Sequence, residues 1–318
     1  MKQKTRGAQA AHPIALAEIV SRYGLFAGFL ILSGVMAFLS PVFLTQVNLI
    51  NILRQVAVTG VTAVGMTFVI ISAGIDLSIG AILAFAGIVM VSLETQGALV
   101  AVAAALLSGA LWGLANGVAI AKGNVQPFVV TLACMTVVRG FTLIASGGHP
   151  LTLHNPALLT LGFGYLGPLP LLVVVFAVVV ALGWVLLAKT PFGRYTYAIG
   201  SNENASKLAG INLDRMKVLI YTLSGALSAL AGVLLTSRLS SASPIAGVGY
   251  ELDAIAAVAI GGASLAGGEG TMGGTLLGVL IIGVITNGLV LLNVSAYYQQ
   301  VIKGLIIFFA VLMANRKK

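Results

Sequence analysis

The stretch Ala98–Ala121, ALVAVAAALLSGALWGLANGVAIA, carries no charged residue, and its reading decides the class of fold. A helix rises about 1.5 Å per residue, so roughly 20 apolar residues cross the hydrocarbon layer of a bilayer. This run is long enough, and nothing in it resists lipid. Within it Ala105, Gly109, Gly113, Gly117 and Ala121 recur every four residues, and Ser224, Ser228, Gly232 and Thr236 form a second such row. In lipid the hydrophobic effect does not bring helices together, whereas rows of small residues do, by letting two backbones approach. Both rows are expected to be helix–helix seams, either internal or between subunits.

Outward from that run the same reading gives further spans at about Gly24–Leu39, Ile50–Ala73, Ile79–Leu93, Pro127–Ala145, Leu169–Ala188, Val218–Ser237, Leu252–Ala266, Thr271–Leu292 and Tyr297–Ala314. The expectation is an all-α polytopic membrane protein of ten spans. Residues 1–23 are read as an attached cytoplasmic tail and residues 24–318 as a single transmembrane domain. Ile79–Leu93 and Leu252–Ala266 are short for a full crossing.

Composition agrees. Of 318 residues 59% are hydrophobic and only 8% charged, against about a quarter charged in a soluble domain. A surface with so few charges faces lipid. The net charge of +9 suggests nucleic acid until its placement is considered. Lys2, Lys4, Arg6, Arg22, Lys122, Lys189, Arg194, Lys207, Arg215, Lys217, Arg316, Lys317 and Lys318 fall in tails or in short loops on one side. That asymmetry marks the cytoplasmic face. No basic stripe with stacking aromatics is present, so nucleic acid is excluded as a partner. With both tails and the Lys189–Lys217 loop inside, the number of spans is even.

Cys134 is the only cysteine, which excludes an intrachain disulfide and a thiol metal cluster. His149 and His154 lie in the Pro-broken segment Gly147–Gly167 without acidic or cysteine companions there. They read as solvated residues of an external loop, and no metal site is assigned. Arg238–Tyr250, RLSSASPIAGVGY, is rich in Ser, Gly and Pro and reads as a second external loop.

Sliding the chain on itself by 193 residues aligns Gly74-Ile75-Asp76-Leu77-Ser78-Ile79-Gly80 with Gly267-Gly268-Glu269-Gly270-Thr271-Met272-Gly273. The shared pattern is Gly-x-acid-x-hydroxyl-x-Gly. Glycines tolerate the dihedrals that break one helix, and the acid or hydroxyl caps the next. Such paired interruptions either mark a solute path between half-helices or are capped turns at the membrane surface. The second copy also reads Gly-x-Gly-x-x-Gly, but no βαβ pattern surrounds it, and no phosphate-binding loop occurs anywhere in the chain.

Arg54, Asp76, Arg139, Glu251, Asp253, Glu269 and Lys303 lie in or beside apolar spans. Each needs a partner, an aqueous cavity or an interfacial position. Arg139 is the deepest, either in a structural ion pair, with Asp76 as candidate partner, or in contact with substrate. Glu251 and Asp253 are either a docking patch, together with Arg238, or a negatively charged helix start. Polar residues within spans are few: Asn116, Thr131, Tyr221 and Asn287 are among them. Asp76, Ser78, Asn116, Arg139, Glu269, Thr271 and Asn287 form the candidate solute path. No catalytic constellation is found.

The largest cytoplasmic connection holds Ser201-Asn202-Glu203-Asn204-Ala205-Ser206-Lys207-Leu208-Ala209-Gly210. Ser201 or Asn202 can cap a short helix and Gly210 can end it. A lone helix of two turns is too short to stand alone, so a partner protein or the adjoining spans must hold it.

Over nearly its whole length the chain resembles the permease subunits of bacterial monosaccharide ABC importers. The resemblance lies in Ala63–Leu77 (AVGMTFVIISAGIDL), Gly193–Gly210 with its Asn-Glu-x-Ala core, Arg238–Ser241 (RLSS), Gly249–Ala257 (GYELDAIAA), Gly261–Gly268 (GGASLAGG) and Tyr297-Tyr298-Gln299. It implies a homodimer in the bacterial inner membrane, a cytoplasmic ATPase that uses ATP and Mg, and a periplasmic or extracellular sugar-binding protein. It also implies that Asn202, Glu203, Asn204, Ala205, Lys207, Leu208 and Gly210 form a coupling helix, and that ribose is the first substrate to consider. This chain itself would bind no cofactor. The competing reading is an ion-coupled secondary transporter with Asp76 and Glu269 as coupling acids.

Overall fold

The computed structural model describes residues 16–315. Lys2, Lys4, Arg6, Arg316, Lys317 and Lys318, read above as tail charges, lie outside them. The helices are α1 (Leu16–Leu39), α2 (Gln46–Ile71), α3 (Ile79–Ser92), α4 (Ala98–Gly123), α5 (Pro127–Ser146), α6 (Pro156–Phe163), α7 (Leu171–Lys189), α8 (Pro191–Ser201), α9 (Glu203–Leu208), α10 (Leu213–Leu239), α11 (Tyr250–Ile260), α12 (Met272–Leu291) and α13 (Ala296–Asn315). A 3-10 turn, Glu94–Gln96, joins α3 to α4. Among the described residues, six helices are long and apolar enough to cross a bilayer. Two antiparallel pairs of two-residue strands complete the chain: β1 (Leu151–Thr152) with β4 (Ser241–Ala242), and β2 (Tyr165–Leu166) with β3 (Leu169–Pro170).

The centre is α2, whose residues from Val56 to Ile71 are all buried. A helix that is apolar on every side belongs inside a bundle, and α7, α10, α11 and α12 pack around it. Beyond α10 lie α3, α4 and α5. The seam between α4 and α10 is the row of small residues. A Cβ added to Gly113 would collide with the carbonyl oxygen of Tyr221, and one on Gly225 with that of Gly109. The Ser224–Thr236 row turns instead to α2 and α3: a Cβ on Gly65 would lie 3.1 Å from Ser224 Cα, and Gly232 abuts the Leu83 carbonyl. Both rows are therefore seams inside one chain.

The antiparallel packing of α4 on α10 brings Lys122 to Arg215 and Lys217, and the connection from α7 through α9, tied to α10 by Glu203–Lys217, carries Lys189, Arg194 and Lys207 to the same end of the bundle, the basic end. The turn at Glu94 and the β1–β4 pair lie at the opposite end.

Two of the helices in expected spans are too short to cross alone. α3 has 14 residues and α11 has 11, about 21 and 16 Å. An irregular segment precedes each, residues 72–78 and 243–249. Their N-terminal ends meet, with Gly247 and the Glu251 carboxylate seated against Gly80, where any side chain would collide.

Several expectations are corrected. Leu252–Ala266 is helical only to Ile260, because Gly261 abuts Gly274 and the Gly-rich residues that follow turn back into α12. Gly147–Gly167 is more than a loop, since Asn155 caps α6 by accepting from Ala157 N at 3.0 Å. Arg238–Tyr250 is external-loop-like only at its start: Ala242 pairs with Leu151, but Gly247 packs inside against α3. Helix α1 begins at Leu16, so the described part of residues 1–23 is helical.

Candidate functional site

Three groupings carry the polar chemistry. The first is the break between α2 and α3. Asp76 is fully buried. Its Oδ1 accepts from Ser78 N at 3.0 Å and from Ser78 Oγ at 2.6 Å, and its Oδ2 accepts from Ser224 Oγ at 2.8 Å. Asn116 Nδ2 donates to Ser78 Oγ at 2.9 Å. Three of the candidate path residues, Asp76, Ser78 and Asn116, are thus joined in one sealed network. No cation among the described residues takes part: three donors, Ser78 N–H and Oγ from the break and Ser224 Oγ from α10, satisfy the carboxylate, and Asn116 of α4 braces Ser78. Tyr221 Oη is buried beside Gly74 and has no hydrogen-bond partner among the described residues.

The expected Arg139–Asp76 pair does not form. Arg139 Nη1 donates to the carbonyl oxygens of Pro244 at 2.6 Å and Ala246 at 2.9 Å. It secures the irregular segment before α11, a role its isolated position in sequence gave no reason to expect. Asn287 is elsewhere again, exchanging amide hydrogen bonds of 2.8 and 3.0 Å with Asn48 between α12 and α2. Glu269 and Thr271 lie in the connection from α11 to α12 at the basic end. Glu269 is exposed, and Thr271 caps α12 by accepting from Gly274 N at 3.0 Å.

The second grouping is at the start of α11. Glu251 and Asp253 are half-buried and do not form an outward acidic patch. Glu251 Oε1 accepts from Gly249 N at 3.2 Å, and Asp253 Oδ2 pairs with Lys303 Nζ of α13 at 2.8 Å. Arg238 is half-buried near the end of α10. Sequence reasoning flagged both partners of the Asp253–Lys303 pair, but their separation of 50 residues hid the pairing.

The third is at the basic end. Asn202 caps α9, accepting from Ala205 N at 2.9 Å, and Gly210 follows the helix at φ 84°. Lys217 of α10 pairs with Glu203 at 2.6 Å. Asn202, Glu203, Asn204, Ala205, Lys207, Leu208 and Gly210 are all exposed, and Leu208 is 91% exposed. Behind them α8 is packed into the bundle. A Cβ on Gly200 would overlap the Ile71 carbonyl oxygen, which Gly268 N also meets at 2.9 Å, and Tyr197 Oη donates to the Gly270 carbonyl at 2.7 Å. Burial lifts the Tyr197 phenol above its ordinary range. Sequence reasoning missed α8 as a separate helix, though the Thr190-Pro191 start is a cap-and-proline signal: Thr190 accepts from Gly193 N at 3.4 Å.

At the opposite end, a contact also missed from the sequence joins distant segments. The Glu94 carboxylate accepts from the backbone N–H groups of His154 and Asn155, each at 2.8 Å. Burial disfavours the charged form there, but these donors outweigh it and hold the acid below its usual range.

Comparison with known proteins gives this architecture its place. The ribose import permease protein of Bacillus subtilis is 51% identical over 305 residues, covering 94% of each chain. The ribose import permease protein of Escherichia coli K12 is 48% identical over 297 residues, covering 91% of this chain and 92% of its own. The L-arabinose transport system permease protein of the same strain is 38% identical over 304 residues, covering 95% and 92%. No solved structure matches. Residues 48–311 match the family model described as branched-chain amino acid transport system / permease component, and the chain belongs to that family of transport permeases.

Proposed function

We propose that this chain is the membrane-spanning subunit of an ATP-driven importer that carries a monosaccharide, ribose first, across the bacterial inner membrane. The observation that carries the reading is the α8–α9 unit. A six-residue polar helix presents Leu208 almost wholly to solvent while α8 is anchored on α2 and on the α11–α12 connection. An apolar side chain held out on a short charged helix suits a cleft in a partner, because α9 alone lacks the length to be stable. The partner is a cytoplasmic ATPase that uses ATP and Mg. The higher identity of the ribose relatives, 51% and 48% against 38%, supports ribose over arabinose.

Positive charge at the basic end makes that end cytoplasmic. Ten crossings follow, with α3 and α11 each completed by its irregular segment, and residues 24–318 act as one permease domain with both termini inside. Two copies form the working unit, and a sugar-binding protein delivers solute to the opposite end, where Arg238 stands near the outer rim. Alternating access works on the two breaks. Asp76, Ser78 and Asn116 hold the first break rather than lining an open path.

Reconstitution in nanodiscs with the ATPase and binding protein tests this. Ribose transport that requires ATP hydrolysis by the partner is expected. Uphill ribose accumulation by the chain alone would overturn the reading.

A further inference from the structure

Between α11 and α13 lies a recess of about 390 Å³, within the range of roughly 300–1,000 Å³ usual for small-molecule sites. Glu251 and Asp253 line it from α11, and Gln300 and Lys303 from α13. Gly249 and Gly304 leave its floor open, since a Cβ on either would meet nothing within 4 Å. Lys303 is the eighth residue of α13, about 10 Å along the helix from its first.

Two observations say that this is more than a clamp between helices. The Asp253 and Lys303 side chains are 14% and 27% exposed. A pair with only a packing role in lipid would be sealed, because hydrocarbon offers no solvation to what is left open. The Gln300 side chain is exposed and makes no hydrogen bond among the described residues. An amide facing hydrocarbon would waste its donors and acceptor, whereas one facing a wet recess would not. A larger recess of about 500 Å³ between α2, α7 and α12 is lined by apolar side chains such as Val180, Trp184 and Leu280, and offers a hydroxylated solute nothing.

We propose that the α11–α13 recess is a binding station for a neutral polyhydroxylated solute of monosaccharide size. Two carboxylates accept hydrogen bonds, an ammonium donates, and an amide does both. This mixture suits hydroxyls, each of which is donor and acceptor at once. The inference rests on the permease reading above and adds the place where solute pauses.

The test uses the permease–ATPase complex in nanodiscs, carrying Cys134→Ala and Gln300→Cys, and a permanently charged methanethiosulfonate reagent. The introduced thiol is expected to react, and D-ribose at ten times its dissociation constant is expected to slow the reaction about tenfold by occupancy, while sucrose does not. No reaction, or reaction that ribose leaves unchanged, overturns the proposal. In a second variant, Asp253→Asn with Lys303→Gln, the KM for ribose uptake is expected to rise about tenfold, in keeping with a weakened set of charge-assisted hydrogen bonds. An unchanged KM with less assembled complex would show a structural pair only and also overturn it. If the parent complex itself fails to couple ATP to uptake, the permease reading fails instead, and the labelling result separates the two.

Discussion

Ser224 of α10 donates its hydroxyl to Asp76 at 2.8 Å, so a helix at the heart of the bundle fixes the point where the chain leaves α2 and begins α3. Ser224 is the twelfth of the 27 residues of α10. The carboxylate therefore lies well along the bundle rather than at its end, where water could serve it. Lipid and protein supply no substitute donors there, so the network must be complete within the fold.

Asp76→Ala should accordingly be severe. It strands Ser78 and Ser224, and each buried polar group left unpaired costs about 1–3 kcal/mol. Asp76→Asn keeps one acceptor oxygen, and its amide can donate to a serine hydroxyl, so its loss should be the smaller. Thermal unfolding in detergent, followed by size-exclusion recovery, ranks the two. Equal midpoints for Ala and Asn would contradict the network's role.

The α4–α10 seam makes a sharper contrast. Gly113 and Gly140 both sit in apolar helices, but a side chain on Gly113 strikes the Tyr221 backbone whereas one on Gly140 meets nothing within 4 Å. Gly113→Val should destabilise by more than the roughly 1–3 kcal/mol usual for overpacking, since backbone cannot yield as a side chain does. Gly140→Val should leave the yield of folded protein unchanged. Comparable losses in both would place the collision elsewhere.

The sequence was most legible where lipid dictates the answer. The runs beginning at Ala98 and Pro127 start α4 and α5 at those residues, because apolar length is a direct physical demand of the bilayer. Asn202 and Gly210 likewise bound a short helix through local capping chemistry. What stayed hidden was pairing at a distance. Asp76 is served by Ser224 and Arg139 by the Pro244 and Ala246 carbonyls, and neither match leaves a trace in local spacing. The Gly74–Gly80 and Gly267–Gly273 segments look alike, yet Ser78 turns its hydroxyl to Asp76 whereas Thr271 caps its helix. A shared pattern of small and polar residues specifies a break, but not what the break contacts.

Glu94 predicts an acid-sensitive loop. Its pKa is lowered in the folded chain, so its contribution is fully present above the ordinary glutamate value of about 4.3 and is lost as pH falls through the lowered value. The grip it loosens is on the backbone of His154 and Asn155, just before α6. Hydrogen exchange at residues 151–158 should therefore quicken below that value. Glu94→Gln should quicken it at neutral pH, while α4 itself stays protected. Exchange that is indifferent to both would remove Glu94 as the anchor.

The joint between α8 and the bundle makes the last prediction. Tyr197 holds the Gly270 carbonyl at 2.7 Å, and Gly200 rests on the Ile71 carbonyl that Gly268 also engages. A push on α8 must therefore reach α2 and the start of α12 together, since backbone packed on backbone leaves no slack. Tyr197→Phe removes one hydrogen bond, about 0.5–1.5 kcal/mol or up to roughly tenfold in a coupled equilibrium. Gly200→Val forces the surfaces apart. In the reconstituted importer both variants should still bind the ATPase, because α9 and Leu208 are untouched. ATP hydrolysis should continue while sugar delivered per ATP falls, more for Gly200→Val than for Tyr197→Phe. Were the complex instead to dissociate, α8 would be part of the docking surface. Were the transport ratio to hold, force would reach the half-helices by another route.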